Sequence, residues 1–210
     1  MPRARVSIFP LPGVLLLPDM DMPLHIFEPR YRAMIEDAMA RDRRIGMIQP
    51  RDNAPKPALF DMGCLGHITH IEALDDGRFN ILLRGLARFR VVRELEVTTP
   101  FRQIEAEVEQ APSAGLNDQD VLAAVERASL EIESRRFAEA LGYVVDWTAV
   151  STLDDASLVN GIAQIAPFDP AAKQTLLEAD SLSERADLIV QLMQIFGRLD
   201  GDGESGRTMQ

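Results

Sequence analysis

The chain has 210 residues, 46% of them hydrophobic, which is enough to bury one good core or two small ones. Its formal net charge is −11, and residues 111–210 alone carry 7 Lys and Arg against 17 Asp and Glu. An acidic chain without a basic stripe is a poor match for nucleic acid, and no apolar run approaches the ~18 residues that a membrane span needs. We therefore expect neither a nucleic-acid nor a membrane partner.

The first forty residues alternate short apolar runs with prolines. Ile8–Leu11 and Val14–Leu17 flank the turn dipeptide Pro12-Gly13, so they predict two short strands. The run Met22–Phe27 predicts an extended arm. Pro29 suits the first position of a helix, because a proline lacks the N–H that would be unpaired there. The apolar face of that helix follows at helical spacing and comprises Tyr31, Met34, Ile35, Ala38 and Met39.

The next seventy residues have the period of strands. Ile45–Ile48 and Met62–Leu74 predict strands, and Asp75-Asp76-Gly77 predicts a hairpin turn into a return strand that begins at Phe79. In 101–110, Ile104, Ala106 and Val108 should point inward, whereas Gln103, Glu105, Glu107 and Glu109 should point outward. Short strands with one inserted helix indicate a small antiparallel barrel.

Beyond residue 110 the apolar period changes from two to 3.6, which predicts helices. Val121, Val125, Ala128 and Ile132 form one face of a predicted long helix that runs to about Ala140, and Asp169-Pro170 starts a later one. The chain then divides into a barrel lobe at 1–110, a linker at 111–117, a helical bundle at 118–198 and a disordered tail at 199–210. The predicted fold class is α+β.

Three separated blocks resemble one known family, the N-terminal domain of Lon proteases. They are "IFPLPGVLLLP…MPLHIFEPRYRAMI", "GCLGHITHIEALDDGRFNILLRGLARFRV" and "KQTLLEADSLSERADLIVQLM", and with their surroundings they cover roughly 5–197. The resemblance implies a PUA-like β pseudobarrel with one inserted helix, followed by a helical bundle. It also implies a stand-alone, non-catalytic module that recognises polypeptide, because full-length Lon adds a motor and a protease that this sequence lacks.

The sequence offers little catalytic chemistry. It contains no G-x-x-x-x-G-K-[ST] loop for ATP and no G-x-S-x-G elbow for a hydrolase. Cys64, His67 and His70 have a spacing that suggests metal ligands, but on a strand His67 would point away from the other two. We expect no metal, no cofactor and no catalytic residue. The single cysteine agrees with a cytoplasmic protein.

Two neighbouring stretches are the candidates for polypeptide binding. The apolar side chains of the arm exceed what one short strand pair can bury, and the helix start adds charged side chains. The candidate residues are Leu15, Leu17, Met22, Leu24, Glu28, Arg30 and Arg32. The alternative is structural: the apolar residues would cover the open end of the barrel, and the charged ones would hold the helix start.

By resemblance, the protein would bind unfolded polypeptide or a partner protein in the groove between barrel and bundle. A role as an adaptor in protein quality control, with a AAA+ protease as a possible partner, follows from the same resemblance. Two alternatives stay open at this point, an RNA-binding PUA-like protein and a cryptic hydrolase. The oligomeric state is not set by the sequence.

Overall fold

The computed structural model describes residues 1–109 and 121–203, the last six of these as backbone only. The chain divides into two compact units, 1–113 and 114–210. In its described part, the first unit contains six strands and one helix. They are β1 (Arg3–Pro10), β2 (Asp21–Ile26), α1 (Pro29–Met39), β3 (Arg44–Pro50), β4 (Leu59–Ala73), β5 (Phe79–Glu94) and β6 (Gln103–Val108).

The strands form one sheet in the order β2-β5-β4-β3-β1-β6, and β6 also pairs with β5. This second pairing closes five strands into a ring, and β2 extends the sheet at one side of β5. The predicted antiparallel arrangement is correct for every pair except one, because β1 and β3 run parallel. A parallel pair needs a long crossover, and here β2 and α1 lie in the connection between the two strands.

Two predictions for residues 14–27 are wrong. Val14–Leu17 is not a strand, whereas the predicted extended arm is strand β2, which pairs with β5. Buried Gln49 explains the first difference. Its Oε1 accepts a hydrogen bond from Gly13 N at 2.9 Å, and its Nε2 donates one to Val14 O at 3.0 Å. A side chain thus satisfies backbone groups that a strand would have paired with a neighbour.

The interior of the ring is apolar and is built from alternate residues of its strands, as the sequence predicts. Its buried members are Val6, Ile8, Ile48, Leu65, Phe89, Ile104 and Ala106. Gln103 is an exception to the predicted pattern, because the structure buries it. Its side chain accepts a hydrogen bond from Arg5 and donates one to Thr99, which compensates for its burial.

The second unit is helical in its described part. Its helices are α2 (Ala124–Ala140), α3 (Trp147–Ser151), α4 (Asp155–Ile165), α5 (Pro170–Glu178) and α6 (Leu182–Gly203). The start of α5 agrees with the sequence, since Asp169 caps the helix and Pro170 follows it. The short helix α3 was not predicted, and Asp146 caps it by accepting from the backbone N–H groups of Thr148 and Ala149.

The apolar face of α2 that the sequence singles out is not the one the structure buries. Val121, Val125, Ala128 and Ile132 are exposed, and the opposite face is buried instead. That buried face comprises Leu130, Ser134, Phe137 and Ala138. Ser134 interrupts the apolar period in the sequence, but its hydroxyl lies 3.7 Å from the sulfur of Met193 and donates to it.

The α+β class is confirmed. The predicted linker at 111–117 lies outside the described residues, and α6 continues to Gly203, past the predicted start of the tail at 199. No helix in the described part of the chain is long and apolar enough to span a membrane.

Candidate functional site

A groove of about 190 Å³ opens in the first unit beside the start of α1. Four segments line it: the turn after β1, the first turn of α1, the loop at 51–58 and the residues that lead into β6. Prolines make up much of its wall, namely Pro10, Pro12, Pro50, Pro55, Pro57 and Pro100. Because proline has no N–H to donate, these prolines present carbon surface to the groove. The polar part of its lining comes from Arg30, Asp52, Asn53 and Arg102.

The helix start supplies an aromatic and a cationic side chain to the groove. Pro29 occupies the first position of α1, and the neighbouring Glu28 holds Arg30 in an ion pair, Nη2 to Oε2 at 2.8 Å. The Arg30 guanidinium lies 4.5 Å from the centre of the Tyr31 ring, which in turn contacts Phe9 at a centroid distance of 4.2 Å. Burial raises the pKa of Tyr31, so the ring stays a neutral part of the wall.

The loop at 51–58 is held in place by its own polar groups. Asp52 accepts hydrogen bonds from Ala54 N at 2.8 Å and Ala58 N at 3.4 Å. Arg51 donates to Leu59 O at 2.8 Å, and its guanidinium lies over the Phe60 ring at 4.4 Å. The groove is therefore formed before any ligand arrives, which lowers the entropy lost on binding.

Arg102, in the segment that leads into β6, connects that side of the groove to the loop at 51–58. Its guanidinium makes two hydrogen bonds with the Glu94 carboxylate, at 3.0 and 2.8 Å, and a third to the carbonyl oxygen of Pro57 at 2.9 Å. Lys56 also lies 3.3 Å from Glu94. The hydrogen bond from Arg102 is the main cause of the lowered pKa of Glu94. Glu94 is thus held ionised, and it fixes Arg102 at the edge of the groove.

This arrangement can bind an extended, partly apolar chain. The proline and aromatic surfaces can take apolar side chains, and the guanidinium of Arg30 at the rim can take backbone carbonyl oxygens or carboxylates. No cluster of three or more His, Cys, Asp or Glu side chains suited to a metal ion occurs in the part of the chain that the structure describes. Cys64 is buried in β4, and burial raises its pKa to about 12.

The structure buries three of the seven candidate residues. Leu15, Leu17 and Met22 are 2%, 0% and 6% exposed, so they belong to the core and offer no accessible surface. These three residues follow the structural alternative, in which the apolar side chains cover the barrel. The chain at Leu17 lies over Gly85 of β5, and the side chains turn inward. Leu24 is half-buried on β2.

The charged candidates are divided between two places. Arg30 lines the groove, and Glu28 pairs with it. Arg32 instead lies against the hairpin turn at Gly77, where a β-carbon would be 2.2 Å from its Nη2. Arg32 therefore lies beside the β4–β5 hairpin and is not among the residues that line the groove.

Sequence reasoning missed most of the groove. The sequence alone gives no role to the loop prolines or to Arg102, although Pro50, Pro55, Pro57 and Pro100 are an unusual number for two short segments. That concentration was the available signal. It could not be used without the structure, because the two segments are over forty residues apart and meet only when β6 pairs with β1.

The comparisons with known proteins agree with this fold. Residues 5–194 match a family model described as the ATP-dependent protease La (LON) substrate-binding domain. Two solved structures are similar: a Lon N-terminal domain protein from Xanthomonas campestris, with a TM-score of 0.65, 21% identity, and coverage of 90% of this chain and 98% of that one, and the N-terminal domain of Mycobacterium avium complex Lon protease, with a TM-score of 0.60, 19% identity, and coverage of 91% and 98%.

Curated relatives include full-length enzymes. The Lon protease of Escherichia coli strain K12 is 26% identical over 197 residues, which are 91% of this chain and 25% of that protein. Lon protease 2 of Desulfotalea psychrophila is 28% identical over 193 residues, which are 89% of this chain and 24% of that protein. The chain thus spans about a quarter of the length of the curated relatives it matches. The match to the family model over 5–194 shows that the chain belongs to the Lon substrate-binding domain family.

Proposed function

We propose that the protein is a polypeptide-binding module that captures extended segments of unfolded proteins in the groove beside α1. The observation that carries the proposal is a preformed groove walled by prolines and rimmed by Arg30. An apolar concave surface with a few fixed polar groups is the usual form of a binding site. The family description, a substrate-binding domain, supports the same class of ligand.

Blocking the groove without disturbing the core tests the proposal. Ala54 is exposed and lines the groove, so Ala54→Trp should fill it. Ala40 is also exposed, lies at the end of α1 and does not line the groove, so Ala40→Trp is the matched control. Fluorescence anisotropy with a labelled, reduced and alkylated polypeptide should show weaker binding by about tenfold for Ala54→Trp only. Equal binding by both variants would contradict the proposed site.

Arg30 gives a second test of the same groove. If its guanidinium contacts the bound polypeptide, Arg30→Gln should weaken binding by about threefold to tenfold. Added RNA should not compete with the labelled polypeptide, because the chain carries a net charge of −11. Efficient competition by RNA would instead favour the nucleic-acid alternative.

We also propose that the protein acts as an adaptor that presents bound polypeptide to a AAA+ protease. The support is the place of similar domains, which form about a quarter of each Lon protease matched. Affinity purification from the native cell should recover an ATP-dependent protease with both the wild type and Ala54→Trp, and unfolded clients with the wild type only. Clients without any protease would contradict the adaptor role and leave polypeptide binding intact.

A further inference from the structure

Helix α2 has two apolar faces, and only one is used within its own unit. The inner face buries Leu130 and Phe137 in the helical core. The outer side chains are exposed: Val125 by 75% and Ile132 by 65%, with exposed Ala128 between them and Val121, 64% exposed, just before the helix. Large aliphatic side chains that line up on one exposed face usually mark an interaction surface.

The outer residues of α2 have the spacing of a short coiled-coil seam. Val125, Ala128 and Ile132 are separated by three and four residues, and Val121 lies three residues before the helix begins. With Val125 and Ile132 at a positions, Ala128 falls at d, and the small side chain lets a second helix approach closely. Arg135, at the next d position, stacks over the Trp147 ring at 4.7 Å and ends the apolar seam.

The charges beside this seam complement a second copy of the same helix. Glu131 is at a g position on one side, and Arg136 is at the following e position on the other. In a parallel pair, a g residue of one helix meets the next e residue of its partner. Each Glu131, which pairs with Arg127 of its own helix at 2.9 Å, would then also meet Arg136 of the second copy, twice by symmetry. An antiparallel pair would lose this match, because g residues then meet g residues.

We propose that the outer face of α2 is a docking surface for a second copy of this chain, in a parallel two-fold helix pair. The partner is a second copy because the apolar spacing and the flanking charges of this helix face complement those of an identical helix. The seam is short compared with stable interfaces, which bury about 800 Å² on each partner. We therefore expect a reversible dimer whose population depends on protein concentration.

Sedimentation equilibrium over a range of concentrations tests the surface. Ile132→Glu, at an exposed position that leaves the core unchanged, should raise the dissociation constant by at least about tenfold. The matched control is Ile165→Glu, because Ile165 is 80% exposed on α4 and lies off the seam. A wild type that stays monomeric, or a dimer that survives Ile132→Glu, would overturn the proposal.

A charge exchange and cross-linking test the orientation. Arg136→Glu should weaken the dimer by about threefold to tenfold, and Glu131→Arg/Arg136→Glu should restore it. Single cysteines at Val125→Cys and Ile132→Cys should each link to their own copy through a short bismaleimide, whereas Ala149→Cys should not, and natural Cys64 is buried. Linking only between mixed Val125→Cys and Ile132→Cys proteins would show antiparallel helices and contradict the model.

Discussion

The backbone carbonyl oxygen of Leu17 lies over Gly85, so close that a β-carbon at Gly85 would be 2.0 Å from it. Two backbone hydrogen bonds fix this crossing, from Asp19 N to Gly85 O at 3.0 Å and from Gly85 N to Met20 O at 2.9 Å. The position of the segment Val14–Leu17 thus depends on Gly85, which is more than sixty residues away in the sequence. This contact turns Leu15 and Leu17 into core residues.

Gly85→Ala should destabilise the first unit by about 3 kcal/mol, because the obstacle is a hydrogen-bonded backbone that cannot rotate away. Amide hydrogen exchange of β5 in the folded protein would measure the loss. The second unit serves as an internal reference, and the protein's single tryptophan, Trp147, reports its unfolding by fluorescence. Unchanged exchange in β5 would contradict the close crossing.

Gly161→Ala should have the opposite effect on the second unit. Gly161 lies inside α4, and a β-carbon there would meet nothing within 4 Å. Alanine loses less backbone entropy than glycine when a helix forms, so we expect stabilisation of about 0.5–1 kcal/mol. Urea unfolding followed by Trp147 fluorescence is the measurement. Destabilisation would mean that the outer surface of α4 is covered.

The next prediction concerns Gln49, whose side chain makes two hydrogen bonds to the backbone at the start of this segment. Gln49→Met keeps the volume but leaves Gly13 N and Val14 O without their side-chain partner. The loss of two hydrogen bonds to partly buried backbone groups should lower the free energy of unfolding by about 1–3 kcal/mol. Gln103→Met tests a different buried glutamine, and its exchange effect should centre on β6 and not on residues 11–17. Protection at Gly13 that survives Gln49→Met would contradict the assignment.

The sequence was sufficient where the local pattern and the tertiary contacts agree. The first helix, with Pro29 at its start, and the hairpin at Gly77, where φ is 77°, depend on neighbouring residues, and both agree with the prediction. The arm could not be predicted in the same way, because an apolar run such as Val14–Leu17 fits a buried irregular segment as well as a strand. What decides between them is Gln49, thirty-five residues later.

The buried face of α2 could not be predicted for a related reason. Its sequence contains two apolar stripes, and the stripe with the more regular apolar spacing, from Val125 to Ile132, is exposed. The inner stripe includes Ser134, whose burial is compensated by Met193 of α6. Period alone shows that a helix is amphipathic, but the choice between two faces rests on contacts with other helices. Two apolar faces on one helix are also what the proposed dimer requires.

The last prediction concerns pH and a buried lysine. Lys173 lies inside the second unit, where its Nζ donates to Ala163 O at 2.9 Å and Gln164 O at 2.7 Å at the end of α4. Burial lowers its pKa from 10.5 to about 8. Between these values the unfolded chain binds more protons than the folded one. The free energy of unfolding should therefore increase as the pH rises from about 8 to 10.5, with a slope of at most ~1.4 kcal/mol per pH unit.

Lys173→Met isolates this contribution from other groups that titrate in alkali. The variant loses two hydrogen bonds to the end of α4, so it should be less stable than the wild type at pH 10, by about 1–3 kcal/mol. The difference between the two proteins should shrink as the pH falls to 8, because the wild type then carries the disfavoured charge. Urea unfolding at pH 8, 9 and 10, followed by Trp147 fluorescence, measures it. Parallel pH profiles would show that Lys173 has an ordinary pKa in the folded protein.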